Sequence, residues 1–124
     1  MNLDIGIDER LKERVLSNRN LIDWLGKLRN TYDNHELKFD GGDPSKEAMQ
    51  RIVQVVNETF EIENEKTVIV THGNIMSLLL NYYDDRFGFG EWGRLSNPDV
   101  FVLKLESNKV TCKHIWKLGS PTEM

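Results

Sequence analysis

The turn Thr-His-Gly-Asn at residues 71–74 has the residue types of an anion-binding site. The three residues before Thr71 are an unbroken β-branched run, which predicts a strand at residues 67–71 that is covered on both faces. Apolar residues follow the turn at helical spacing, at positions 75, 76, 78, 79, 82 and 83. A turn between such a strand and a helix lies at the carboxyl edge of a sheet. There the free N–H groups and the positive end of the helix dipole favour an anion.

Two interpretations of His72 are open on spacing alone. In the first, the imidazole donates a hydrogen bond to a bound anion, while Gly73 lets that anion approach the backbone closely. In the second, His72 is a buried residue whose ring bonds a neighbouring carbonyl oxygen.

The Thr-His-Gly-Asn turn resembles the second histidine motif of the histidine phosphatase superfamily, the phosphoglycerate mutase-like proteins. In that family a strand ends in Ser/Thr-His-Gly, and the histidine contacts the transferred phosphoryl group. The resemblance implies that His72 is catalytic and that His72, Gly73 and Asn74 bind phosphate. The implied ligand is a phosphorylated small molecule or inorganic phosphate.

A charged run, Asp-Glu-Arg-Leu-Lys-Glu-Arg, occupies residues 8–14, and on composition alone it is a solvated surface. Its pattern Asp-x-Arg-Leu-x-Glu-Arg resembles the segment in which histidine phosphatases carry their acid/base carboxylate. The resemblance assigns that role to Glu13, because a carboxylic acid beside a phosphoryl oxygen can protonate the leaving group. We therefore expect Glu13 to face residues 72–74 across one cleft.

The other elements predict an α/β fold around this site. Alternation at residues 3–7 predicts a short strand with one buried face, and Val100 to Leu105 with Val110 to Trp116 predict a β-hairpin in the same sheet as residues 67–71. Two amphipathic helices are expected before the central turn, the first capped by Asn18 or Asn20 and the second starting at Asp43-Pro44. Their apolar stripes are Leu21, Trp24, Leu25, Leu28 and Tyr32, and Met49, Ile52, Val53, Val56 and Phe60.

Residues 84–99 are rich in glycine and aromatic residues, which predicts a loop. Such a loop either covers a pocket or tucks its rings under the fold, and the second arrangement is slightly favoured. His114 alternates with Cys112 and Trp116 in the predicted hairpin, which favours a structural role for it.

Composition predicts one folded domain, residues 1–124, in the cytoplasm. The chain is 39% hydrophobic and 29% charged, which argues against disorder. A net charge of −4 argues against nucleic-acid and anionic-membrane partners, and no apolar run is long enough to span a membrane. The one cysteine, Cys112, suits a reducing compartment. Three widely spaced histidines do not have zinc spacing, so we expect neither a metal nor a cofactor.

Two further motifs of the family do not occur in the sequence. These are Arg-His-Gly, whose histidine accepts the phosphoryl group, and Ser-x-Leu-x-Arg, which supplies a phosphate-binding arginine; His72 is the only histidine followed by glycine. The chain therefore resembles the C-terminal two-thirds of a histidine phosphatase. The implied fold is an N-terminally truncated, three-layer α/β/α sandwich.

The resemblance implies a phosphomonoesterase that is catalytically incomplete as this chain alone. The alternative is a degenerate, non-catalytic family member that binds an anion or acts through protein contacts. Without the strands that neighbour it in the family, the segment at residues 67–71 would have open apolar edges. We therefore expect a symmetric homodimer formed by strand exchange.

Overall fold

The computed structural model describes residues 6–62, 66–96 and 99–117. A 3₁₀ turn at Glu9–Leu11 is followed by α1 (Trp24–Asp33), α2 (Ser45–Phe60), α3 (Gly73–Tyr83) and the short α4 (Phe89–Gly93). The strands β1 (Asp99–Glu106) and β2 (Lys109–Lys117) come last. This mixture of helices with a small sheet is consistent with an α/β fold. None of the helices in the described ranges has the length and apolarity to cross a membrane.

The hydrophobic core is formed where α2 packs against α3. Both helices carry apolar side chains at a spacing of three and four residues, so each presents one continuous apolar stripe. The buried cluster consists of Ala48, Ile52, Val53 and Val56 from α2 and Ile75, Leu78 and Leu79 from α3. The sequence predicted both stripes. The start of α2 differs slightly, because Pro44 is the N-cap residue and Ser45 is the first helical residue.

The predicted start of α1 is wrong. The helix is capped by Asp23, whose side chain accepts a hydrogen bond from the N–H three residues ahead, and neither Asn18 nor Asn20 takes this role. Leu28 is buried as expected, but Trp24 is exposed and is not part of the core. A carboxylate is as good an N-cap as an asparagine side chain, so local preference did not distinguish these positions.

The predicted hairpin is confirmed. β1 and β2 pair antiparallel, with Glu106 opposite Lys109 at the turn and a register shift between Val100 and Phe101. The two turn residues, Ser107 and Asn108, both have positive φ, at 51° and 63°. Two consecutive left-handed residues make the tight turn whose twist matches that of the flanking strands.

The rings of the glycine-rich segment pack inward. Phe87 lies edge-on to Phe101 of β1 with ring centroids 5.9 Å apart, and Phe89 lies edge-on to Tyr32 of α1 at 5.7 Å. Phe89 also contacts Trp92, at 5.5 Å. Of the two interpretations of this loop, the structure therefore favours the one in which the rings tuck under the fold.

The predicted strand at residues 67–71 is wrong. In the described ranges the sheet contains only β1 and β2, and residues 67–71 belong to no strand. Val68 and Val70 are 89% and 82% exposed, whereas Ile69 between them packs against the core. A β-branched run favours extended backbone, but a strand forms only where a second segment supplies the ladder of hydrogen bonds.

The predicted strand at residues 3–7 lies mostly outside the described residues. Ile7 is described, and its side chain is exposed rather than part of a buried face.

Removing side-chain volume from the α2–α3 contact is expected to destabilise the fold. Ile52 is fully buried, so Ile52→Ala should lower the free energy of unfolding by about 3 kcal/mol, through lost burial and a residual cavity. Ile22→Ala is the matched control, because Ile22 is 89% exposed and its truncation should change stability by less than about 0.5 kcal/mol. Urea unfolding measures the free energy of unfolding of both variants. If both lose the same amount, the core does not lie at the α2–α3 contact.

Candidate functional site

His72 lies at the N-terminus of α3 as its N-cap residue, in extended conformation with φ −113° and ψ 160°. Its carbonyl oxygen accepts from Met76 N at 2.9 Å, which is the first bond of the helix. The imidazole is exposed. Within the described ranges, neither this ring nor the N–H of Gly73 has a hydrogen-bond partner. The interpretation of His72 as a buried histidine is therefore wrong, and two donors are free at the helix start.

The Glu13 carboxylate binds the next two N–H groups of α3. Oε2 accepts from Asn74 N at 2.9 Å, and Oε1 accepts from Ile75 N at 2.7 Å. Oε1 also accepts from Arg14 N at 2.9 Å. The first N–H groups of a helix have no partner within the helix, and the dipole favours a negative charge there. Glu13 thus caps α3 from a position about sixty residues earlier in the sequence.

Two further contacts fix the segment that carries Glu13. Thr71 Oγ1 donates to Leu11 O at 2.6 Å, immediately before the His72 turn. The Arg10 guanidinium bridges Asp8 at 2.7 Å and Glu58 of α2 at 2.6 Å. The hydrogen bond from the Arg10 side chain lowers the pKa of Asp8 to about 2. Each exposed ion pair stabilises little by itself, but together they orient the loop.

The Arg51 side chain of α2 binds the backbone of the segment that carries Glu13. Its Nη1 donates to the carbonyl oxygens of Arg10 and Lys12, at 2.9 and 2.7 Å. Its Nη2 lies 3.2 Å from Asp43 Oδ2. The planar guanidinium can bond two backbone carbonyls and a carboxylate at once, so it sets the path of the backbone just before Glu13.

Residues 15–18 run alongside residues 40–43. Asp43 N donates to Val15 O at 2.6 Å. The backbone of Gly42 lies so close to residues 15–16 that a Cβ atom at position 42 would be 2.0 Å from the Leu16 carbonyl oxygen. Only glycine permits this approach, and it fixes the backbone just after Glu13.

The comparisons with known proteins give one match, to a family model. Residues 1–117 match the family model described as histidine phosphatase superfamily (branch 1). The chain belongs to the histidine phosphatase superfamily. No curated protein and no solved structure matched the chain.

In this histidine phosphatase superfamily member, the residue that follows Glu13 is a buried cation, Arg14. The Arg14 side chain is only 5% exposed, and its Nη2 and Nη1 donate to Asp43 O at 2.6 Å and Thr31 Oγ1 at 3.3 Å. Its Nε has no partner within the described ranges. Burial lowers the pKa of Arg14, and the nearby Glu13 carboxylate opposes that shift. The guanidinium therefore supplies a buried positive charge near the Glu13 carboxylate.

A chain of hydroxyl groups links α1 to the His72 turn. Ser77 Oγ donates to Asn74 O at 2.5 Å, so its single hydrogen is committed to that bond. Tyr32 Oη, 2.6 Å from Ser77 Oγ, must then be the donor to Ser77. Burial is the largest cause that raises the pKa of Tyr32 to about 12. The neutral phenol thus fixes the first turn of α3 through Ser77.

The structure brings all four sequence-predicted site residues, Glu13, His72, Gly73 and Asn74, to one end of α3. Their catalytic and phosphate-binding roles remain predictions. Within the parts of the chain that the structure describes, no group of three His, Cys, Asp or Glu side chains could hold a metal ion. His114, taken from the sequence as structural, bonds Asp99 and stacks on Phe101 away from this site.

Sequence reasoning assigned no supporting role to four residues: Arg14, Tyr32, Ser77 and Arg51. The sequence contains a weak signal for Arg51. This cation directly precedes the buried Ile52 in α2, and a charged side chain at the edge of a core needs hydrogen-bond acceptors. The hydroxyl chain has no sequence signal, because it depends on how α1 and α3 pack.

Removing the Glu13 carboxylate should destabilise the protein through α3. In Glu13→Ala the N–H groups of Asn74 and Ile75 lose their acceptor, and the expected loss in the free energy of unfolding is about 1–2 kcal/mol. Glu9→Ala is the control, because Glu9 lies in the same segment and its carboxylate is exposed. Urea unfolding of both variants measures the difference. Equal stability of the two would contradict the capping role.

Alkaline pH should weaken the fold through Tyr32. The pKa of Tyr32 is raised from the ordinary 10.0 to about 12 in the folded protein. The contribution of the neutral phenol to the free energy of unfolding is therefore fully present below pH 10 and is lost as the pH rises from 10 to 12. The loss is at most about 3 kcal/mol. Tyr32→Phe removes this titration, so its unfolding free energy should fall less steeply between pH 8 and 12.

The control is Tyr82→Phe, because Tyr82 is exposed at the far end of α3. This variant should retain the full alkaline decrease of the wild-type chain. Identical pH profiles for wild type and Tyr32→Phe would show that Tyr32 is not the responsible group.

Proposed function

We propose that this chain carries a phosphate-monoester site of the histidine phosphatase type at the N-terminus of α3. The observation that carries the proposal is the pair of bonds from Asn74 N and Ile75 N to the Glu13 carboxylate. These bonds support the proposal because they hold the Glu13 carboxylate within one helical turn of His72, which is itself exposed. Family membership supports phosphate as the ligand.

Each residue then has a distinct role. The His72 ring and the Gly73 N–H donate hydrogen bonds to phosphoryl oxygens, while the helix dipole adds favourable potential. To act as the acid, Glu13 must first take up a proton and release one of its hydrogen bonds to the N–H groups of α3. It then gives that proton to the leaving oxygen as the bond between phosphorus and that oxygen breaks, and a nucleophile forms the new bond to phosphorus from the opposite side. Arg14 and Arg51 position Glu13 and do not contact the phosphoryl group.

The nucleophile is the part of this chemistry for which the sequence offers no candidate motif. Arg-His-Gly does not occur among the 124 residues. Displacement at phosphorus needs an in-line nucleophile and several positive donors, and His72 and Gly73 supply only donors. The proposed reaction is therefore slow for this chain alone and becomes fast only when another segment or polypeptide provides the accepting histidine.

A second candidate is a non-catalytic anion-binding or protein-interaction module. The observation in its favour is that Glu13 already fills two of the helix N–H groups that an anion would otherwise bind. This candidate would be favoured if the chain binds phosphate but shows no turnover, even when a second polypeptide that contains the Arg-His-Gly motif is added.

The proposal also includes the family's three-layer α/β/α arrangement and a cytoplasmic location. The α2–α3 pair and the β1–β2 hairpin are elements that such an arrangement contains. A single cysteine, Cys112, which cannot form a disulfide within the chain, suits a reducing compartment.

Phosphate binding tests the site directly. Titration with inorganic phosphate should show weak binding. Calorimetry measures this binding for every variant, and the NMR signal of the His72 ring reports it for the wild-type chain. His72→Ala should weaken it about tenfold, since a charge-assisted hydrogen bond is lost. His35→Ala is the control, because His35 lies outside the α3 site, beside the start of α2. Equal binding by both variants would place the phosphate elsewhere.

Turnover tests the chemistry. We expect hydrolysis of an aryl phosphate by the purified chain to stay near the uncatalysed background. A clear rate that disappears in His72→Ala would contradict this expectation and make His72 the nucleophile.

A further inference from the structure

The segment at residues 66–71 has the features of an unpaired edge strand. Its exposure alternates, with Val68 and Val70 facing solvent and Ile69 packed against the core. Within the described ranges, no backbone–backbone hydrogen bond involves any of these six residues. Backbone N–H and C=O groups that lack partners beside exposed β-branched side chains are a template for another strand.

This edge is held in a defined position. Ile69 anchors its middle to the α2–α3 core, and Thr71 Oγ1 anchors its end to Leu11 O at 2.6 Å. An incoming strand would therefore meet a segment that is already oriented, and the entropy lost on pairing would be small.

The segment is complementary to itself. Residues 67–71 carry no charge, so two copies do not repel one another along this stretch. In an antiparallel pair with a two-fold axis through Ile69, Val68 lies opposite Val70 of the second copy, and Thr67 lies opposite Thr71. Pairs of β-branched residues and of threonines are favourable cross-strand neighbours.

The burial pattern also selects this register. A shift by one residue would place the exposed Val68 opposite the core-packed Ile69, so the apolar outer face of one copy would meet the inner face of the other. Registers centred on Val68 or Val70 would each leave one valine without its cross-strand partner.

We propose that residues 66–71 form an antiparallel two-stranded interface, about a two-fold axis through Ile69, with the same segment of a second copy of this chain. A closed two-fold dimer needs a patch that complements itself, and this segment meets that condition. The interface is short compared with the roughly 800 Å² per partner of a stable complex. Dimerisation should therefore depend on concentration. The proposal does not depend on the phosphate site.

Light scattering over a range of concentrations tests the dimer. The mass should rise from 14.4 kDa in dilute solution towards twice that value as concentration increases. The double variant Val68→Lys/Val70→Lys should remain monomeric, because it places four cations on one face of the paired strands. Ile22→Lys is the control, since Ile22 is as exposed as Val68 but lies outside the segment, and it should dimerise as wild type does.

Disulfide cross-linking tests the register. In a Cys112→Ser background, Val68→Cys and Val70→Cys chains are mixed and oxidised. Directly opposite residues are within disulfide reach, and diagonal ones are too far apart. The cross-linked dimer should form in the mixture but in neither variant alone.

Three results would overturn the proposal. A mass of 14.4 kDa at every concentration would show that no second copy binds. A dimer that persists in the double lysine variant would place the interface elsewhere. Cross-linking of either single variant alone, without preference for the mixture, would exclude the two-fold axis through Ile69.

Discussion

The structure depends on one interaction between a side chain and the backbone: the Glu13 carboxylate bound to the first N–H groups of α3. These groups have no partner inside the helix, and the helix dipole concentrates positive potential on them. A carboxylate satisfies both needs at once. Because Glu13 comes from a loop that lies across α2, the same bonds join the N-terminal third of the described chain to its central helix.

Several other contacts serve to place that carboxylate. Arg51 holds the backbone before Glu13, and the close approach at Gly42 holds the backbone after it. Arg14 adds a buried positive charge near it, and the Tyr32–Ser77 hydroxyl chain fixes the turn of α3 that it binds. A group that is fixed from several directions loses little entropy when it takes part in chemistry, which is what the proposed acid/base role of Glu13 requires.

The same capping interaction limits the site. An anion and the Glu13 carboxylate compete for the helix N-terminus, and Glu13 already occupies the N–H groups of Asn74 and Ile75. The His72 ring and the Gly73 N–H remain for a ligand. The helix therefore offers an anion fewer donors than an uncapped helix would, so the proposed anion binding and the proposed acid/base role of Glu13 oppose one another at this position.

The sequence by itself determined α2, α3 and the hairpin, and it proposed the site residues that the structure brings to one end of α3. Periodicity identified α2 and α3, because burying an apolar stripe needs only one neighbouring surface. The Asn108 turn and the alternating residues on either side identified β1 and β2, because hairpin pairing is local. Only the tertiary structure decided the state of residues 67–71, since a strand exists only where a distant segment pairs with it. It likewise decided that Arg14, Arg51 and Tyr32 support Glu13, because those contacts join residues that no sequence spacing relates.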